Sequence, residues 1–377
     1  MSKKKCNNIH IGAKNIQCPP LTINGSEMKN SEQEKYLGDI LDKKGTCRPN
    51  LEKRKLKGYS ITSSVLAIVN EIPLGHLKIK AGLSLRQAML LNGILFNSEA
   101  WQGPEIKDIT ILEKVDEALL RGMLGARPKI PLEALYLETG SIPIRYIVAS
   151  RRILYLHSIL HRNRNEMIQK IFEAQKIKPS PGDFVNLVKN DLETINLKIT
   201  EEEIRKISKQ KFKKIVKLKV MDAAFIYLKN LQKTHSKMKN TDYEKFEISR
   251  YLNSSLFSTS QRSLLLSLRT RTLRGVRSDF PGLYKDNMCP LGCGDQDTIP
   301  NLLKCNVILK HQKSNSVAVG NVKYEDIFSK DVKKQKQATY LYENMLEIRN
   351  RIMMNSLPVA CTGPLQSTPT LQNHFLS

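Results

Sequence analysis

No apolar run in this sequence approaches the roughly 20 residues that a bilayer crossing needs. The longest, Ala223 to Leu228 among them, are the size of core segments. The basic N-terminus, MSKKKCNN, has no apolar stretch after it and does not read as a secretory signal. Of seven cysteines, an odd count, Cys6, Cys18, Cys47 and Cys361 stand singly. That is no disulfide framework and suits a reducing compartment, so an intracellular place, nuclear or cytoplasmic, is expected. A glycine-rich phosphate loop, a nucleophile elbow and internal repeats are also missing, which removes the chemistries and the solenoid folds that depend on them. Acid is also scarce relative to base. Lys and Arg number 61 against 36 Asp and Glu, a net charge of +25. A surface that basic repels itself unless it meets a polyanion, so RNA or DNA, held mostly by phosphates, is the first partner to expect. The alternative is a highly charged but inert solvated surface.

What is present is enough to fold. The 377 residues suffice for two or three domains of roughly 100–200 residues each. The first 45 residues read as short strands: Ile9 and Ile11 alternate, Leu21 and Ile23 alternate, and Tyr36–Leu41 follows, each bounded by Gly, Asn or Pro. From about residue 48 the period becomes helical. Leu51–Val69, Leu83–Asn97 and Asp108–Leu124 predict three helices, punctuated by Pro73, Gly103-Pro104 and Pro128, that should pack as a bundle. A longer helical stretch is expected from about Pro143 to Lys176, with Arg145, Arg151, Arg152, Arg162 and Arg164 among its apolar residues; Arg151 and Arg152 are candidate nucleic-acid contacts. Thr200 with Glu203 forms a capping box that opens a further helix. Along it Lys206, Lys209, Lys213 and Lys217 recur at three- and four-residue steps as a cationic stripe, which is either a binding face or an ordinary solvated one. The expected class is mainly α with a small N-terminal antiparallel β element.

Several segments, in order, resemble non-LTR (LINE-type) retrotransposon reverse transcriptases. Tyr36-Leu37-Gly38-Asp39 is similar to the segment after the catalytic centre. Asn97–Gly103 (NSEAWQG) is similar to the thumb's Gly-x-Glu-x-Trp signature. Pro131–Arg145 and Arg151–Leu160 resemble the connector, and Ser263–Cys293 resembles the approach to a cysteine–histidine zinc motif. The resemblance spans roughly residues 3–310. It implies a palm remnant with a primer-grip-like turn at 1–45, a thumb-like helical bundle at 46–130 and a basic helical connector at 131–260. An Arg-rich helix with a degenerate, zinc-knuckle-like module follows at 261–312. Beyond the resemblance, a helical tail is expected at 313–354, and 355–377, rich in Pro, Thr and Ser with little pattern, is expected to be disordered. The resemblance assigns nucleic-acid contact to Lys5, which in the family assists the leaving phosphate, and to Tyr36 and Gly38. The family's metal-binding Asp-Asp dipeptide occurs nowhere in this sequence. Two-metal phosphoryl transfer needs those carboxylates. The expectation is therefore a non-enzymatic C-terminal fragment that keeps sequence-tolerant RNA or DNA binding. The alternative is a domesticated binding or interaction protein. A palm-domain partner chain from a related element is a third, remoter possibility.

Cys289, Cys293 and Cys305 have zinc-like spacing, but Asn301 stands where the family has histidine. An amide oxygen is a poor zinc ligand beside thiolates. His311 is the substitute fourth ligand, and a decayed motif with free thiols is the alternative. Just before this cluster, Arg262, Arg269, Arg271, Arg274 and Arg277 are expected to meet phosphates while Leu264, Leu265, Leu266 and Leu268 anchor their helix; the alternative is that they pair with Asp279, Asp286 and nearby acids. His157 and His161, one helical turn apart, read as a packed pair rather than a metal site. Asp331-Val332-Lys333 is a nuclease-like fragment without its partner acid.

Overall fold

The computed structural model describes residues 7–11, 21–23, 25–36, 38–101, 106–238, 240–280, 282–312 and 322–355. It is 63% helix and 6% strand. Contacts divide the chain into two compact units, residues 1–263 and 264–377.

In the first unit the strands are short: β1 (Asn7–Asn8), β2 (Thr22–Ile23), β3 (Ser26–Glu27), β4 (Lys29–Asn30), β5 (Gln33–Tyr36) and β6 (Asp39–Asp42). They form three two-stranded sheets. The expected antiparallel arrangement holds for β2–β3 and β5–β6, but β1 and β4 run parallel. Tyr36-to-Asp39 is a tight hairpin connection, with Gly38 at φ +96°, a backbone state that glycine adopts without a Cβ penalty. Ile11 and Leu21 are exposed.

Three helical segments then build the bundle: α1 (Arg48–Asn70), α2 (Gly75–Leu85) running through a π-helical turn (Arg86–Leu91) into α3 (Asn92–Ile94), and α4 (Ile106–Leu124). α1 packs chiefly on α4. The approach is close because Gly58 has no side chain: a Cβ there would lie 2.7 Å from Val115 Cγ1. Asp39 fastens the hairpin to this bundle. It accepts hydrogen bonds from Asn50 Nδ2 and Asn97 Nδ2, both at 2.9 Å, and from the Arg54 guanidinium. Arg54 in turn lies over the rings of Phe96 and Trp101, 5.7 and 5.6 Å from their centroids. These are cation–π contacts, the one with Trp101 shielded from solvent and the one with Phe96 at the surface.

α5 (Leu132–Thr139) leads into α6 (Ile144–Leu160), α7 (Met167–Ile177), α8 (Phe184–Thr194), α9 (Glu201–Lys206) and α10 (Lys209–Thr234). The single stretch expected over 143–176 is two helices, because residues 161–166 turn between them. The helix expected from Thr200 is likewise two, α9 and α10. The Thr200–Glu203 capping box is present, but Ile207 and Ser208 are extended. The carbonyls at that break are not orphaned. His157 Nε2 donates to Ile207 O at 2.9 Å, His161 Nε2 lies 3.2 Å from Arg205 O, and Arg205 returns a bond to Leu160 O. The two imidazoles stack at 4.0 Å, so the histidine pair serves as packing and capping. Tyr146, Ile153, Leu156, Leu160, Phe172, Val188, Phe212, Val216 and Val220 share one core between α6 and α10. Short α11 (Arg250–Asn253) and α12 (Thr259–Arg269) follow, with the division between units inside α12.

The second unit holds α13 (Ile299–Leu302), α14 (Asn306–Gln312) and α15 (Val332–Asn355). Arg349 of α15 forms a fork on Asp297, Nη1 to Oδ1 at 2.9 Å and Nη2 to Oδ2 at 2.8 Å, with both side chains buried. Asp297 also accepts the Arg277 backbone N–H at 2.8 Å. The expected disordered tail lies outside the described residues, apart from Asn355 at the end of α15.

The deepest ion pair of the first unit is Arg86–Asp116, two parallel bonds of 2.6 Å. Burial works against the Arg86 charge, and Asp116 outweighs it, holding the guanidinium above its ordinary pKa. Removing one partner of a buried pair strands the other charge. Asp116→Ala should therefore cost about 3–5 kcal/mol in urea unfolding. Replacing the pair together, Arg86→Met with Asp116→Leu, should cost less than Asp116→Ala alone. A single variant that unfolds like the wild type contradicts this role.

Candidate metal centre and basic surfaces

The cysteine module is organised by its turns. A bridge between Met288 and Gln296 closes a small loop; Cys289 N–H donates to Asp295 O at 2.9 Å and Gly292 N–H to Cys289 O at 3.0 Å. Gly292 and Gly294 take φ of +71° and +89°, conformations that L side chains rarely adopt. Cys305 enters from the other side, where its carbonyl accepts the Leu309 N–H at the start of α14. The result is three sulfurs within 4.8 Å of one another, with Cys289 Sγ and Cys305 Sγ 4.0 Å apart. Three convergent thiols can hold a thiophilic metal ion, which would ionise them on binding.

The expected fourth ligand does not arrive. His311 stays outside the group. Helix geometry explains why: Cys305 stands before α14 and His311 in its last turn, and six residues of helix rise about 9 Å. Asn301 is occupied with its own loop, its Nδ2 donating to Gln296 O at 3.0 Å.

The arginines expected to bind phosphate are mostly engaged inside the protein. Arg152 forks onto Asp191 at 2.6 and 2.8 Å and is buried, and burial pushes the Asp191 carboxyl up against the pull of that arginine. Arg151 is half-buried and donates to the Leu95 carbonyl; burial depresses its pKa. Arg262 is buried, donates to Ser254 O and rests against Gly75, where a Cβ would meet its Nη1. Arg269 is buried and donates to Ile327 O at 3.2 Å. Their guanidinium groups are committed to acceptors of the fold, a carboxylate for Arg152 and backbone carbonyls for Arg151, Arg262 and Arg269. Arg277 is paired with Asp286 at 2.5 Å, and Arg271 lies 3.9 Å from Asp279, so the pairing alternative describes both better than a free phosphate-binding face. Arg274 is exposed. Lys5 lies outside the described residues. Tyr36 is 62% exposed and Gly38 sits on the hairpin turn beside Phe96.

The lysines behave differently. Lys206 is exposed at the end of α9, and Lys209, Lys213 and Lys217 are exposed along α10. Lys211 and Lys214 are exposed on other sides of α10 and Lys219 is half-buried, while Phe212, Val216, Val220, Ala224 and Leu228 turn inward at helical spacing. No acid interrupts the segment before Asp222. Among the described residues none of these lysines forms an ion pair. Lys213 and Lys217 also border a cavity of about 810 Å³ against α6, α5 and the segment around Ile248. That cavity had no signal in the sequence, because its walls come from five separate stretches of chain.

Compared with known proteins, the chain matches no family model, no curated protein and no solved structure.

The sulfur geometry sets an expectation of its own. Titration with Co²⁺ should give thiolate-to-metal charge-transfer absorption, and Cys305→Ser should abolish most of it. Equal absorption in wild type and variant would place the ion elsewhere.

Proposed function

We propose that this chain binds RNA or DNA through phosphates, with little sequence preference, and that it derives from a LINE-type reverse transcriptase without retaining polymerase activity. The observation that carries the binding reading is the lysine face of α10. Lys209, Lys213 and Lys217 repeat at four-residue steps, so each repels the next by a few tenths of a kcal/mol. No carboxylate forms an ion pair with them among the described residues. A row of phosphates does, and it releases condensed counterions as it docks. The derivation rests on the ordered motif resemblance. The absence of polymerase chemistry rests on the missing Asp-Asp pair, without which developing charge in phosphoryl transfer has no metal clamp. In this reading the three thiolates hold zinc as a structural ion, with the fourth position left to solvent because Asn301 replaces the histidine. Asn301→His should then raise zinc affinity.

Oligonucleotide affinity should fall steeply with salt. Replacing Lys209, Lys213 and Lys217 by Ala together should lower the slope of log affinity against log salt by about two to three units, since each neutralised phosphate contributes roughly 0.7–0.9. An unchanged slope in a folded variant would refute the α10 surface. Primer extension on a primed RNA template with Mg²⁺ or Mn²⁺ should yield no product above a protein-free control.

A further inference from the structure

The cavity beside α10 joins features that a solvated lysine face does not need. One rim carries Lys213 and Lys217, continuing the cationic stripe to the cavity mouth. The interior is largely aliphatic, with Leu83, Ile147, Leu154 and Val220 among its walls. Gln87 and Asn253 stand exposed at the cavity mouth, near Glu247, and Ser150 is half-buried in its wall; the side chains of Gln87, Ser150 and Asn253 make no hydrogen bond among the described residues. Its volume of about 810 Å³ falls within the range of about 300–1,000 Å³ typical of small-ligand sites. The back wall is rigid, because Arg86 is fixed by Asp116 and donates to Ile142 O at 3.0 Å.

We infer that this cavity receives one unstacked base of a single strand, while the neighbouring phosphates lie on Lys213 and Lys217. The inference rests on the reading of α10 as a phosphate-binding face. An aliphatic slot accepts the flat faces of any base, and unpaired amide and hydroxyl groups can meet a base edge. A duplex keeps its bases stacked and cannot fill the site, whereas a single strand can turn a base outward. The α10 face should consequently prefer single-stranded nucleic acid.

The test uses the full chain and three fluorescein-labelled 12-nucleotide probes at one salt concentration: oligo(dT), the same backbone with every base removed, and a 12-base-pair duplex. Oligo(dT) should bind about tenfold more tightly than the abasic strand, the effect of roughly one buried base. It should also outcompete the duplex. Ser150→Trp, which fills the cavity from α6, should bring oligo(dT) down to the abasic affinity while leaving the salt slope unchanged. The milder Gln87→Ala with Asn253→Ala should reduce the preference in the same direction. Equal affinity for oligo(dT) and the abasic strand in the wild type, or a preference untouched by both variants, overturns this inference alone. Decanoate that displaces oligo(dT) from the wild type but not from Ser150→Trp would assign the cavity to an acyl anion and also overturn it. Failure of all three probes to bind with salt sensitivity overturns the α10 phosphate reading, and this inference with it.

Discussion

The Arg86–Asp116 pair sits where four pieces of the first unit meet. Arg86 opens the π-helical turn after α2, Asp116 belongs to α4, Tyr136 of α5 donates to Asp116 Oδ2 at 3.1 Å, and Arg86 also reaches the Ile142 carbonyl. The guanidinium fork leaves no slack, since it is matched bidentately on one side and bonded to a backbone oxygen on the other. Tyr136 is held far from ionisation, first by burial and then by the adjacent Asp116 charge. A network this buried is favourable only when every member is satisfied. Its satisfaction fixes the start of α6 against α4, and so fixes the wall against which the N-terminal half of α10 stands.

The same requirement divides the cations of this chain by chemistry. Arginine is weakly hydrated, planar and able to serve several acceptors, and here it goes inward: Arg54 to Asp39, Arg145 to Glu113, Arg152 to Asp191 and Arg349 to Asp297. Lysine holds its water tightly and stays outside. The charge of +25 is therefore not a uniform coat. Much of the arginine is paired within the fold, whereas Lys209, Lys211, Lys213, Lys214, Lys217 and Lys219 of α10 stand without an ion pair among the described residues. That is why the arginine-rich segment near residue 270, conspicuous in the sequence, is a weaker candidate surface than the lysine stripe.

This division also explains what could be read in advance. Helix α4 was legible because its apolar and charged faces separate, and the cap at Thr200 because its two side chains are local. The cysteine cluster was legible in the spacing of Cys289 and Cys293 with Cys305. The interior role of Arg152 was not, because Asp191 is 39 residues away and nothing local marks the pair as buried. His311 failed as a ligand for the converse reason: proximity in sequence became separation along a rigid helix. The break at Ile207 depends on His157, fifty residues earlier, accepting the task of capping it.

The segments that carry the family resemblance illustrate the same point at the level of function. Asp39 of the Tyr-Leu-Gly-Asp stretch bonds Asn97, which opens the stretch containing Trp101, and Arg54 lies over Trp101 while bonding Asp39. Two motifs 58 residues apart thus meet as one joint between hairpin and bundle. Asn97 takes the left-handed conformation at φ 55°, a state that asparagine tolerates better than most residues, and its amide is then aimed at the hairpin. Motifs with this role persist as long as the fold persists, whether or not a catalytic centre accompanies them. Their presence therefore argues for architecture, and the case for nucleic-acid contact has to be made from residues outside them. It is the lysines of α10, which belong to none of the quoted motifs, that supply the uncompensated charge.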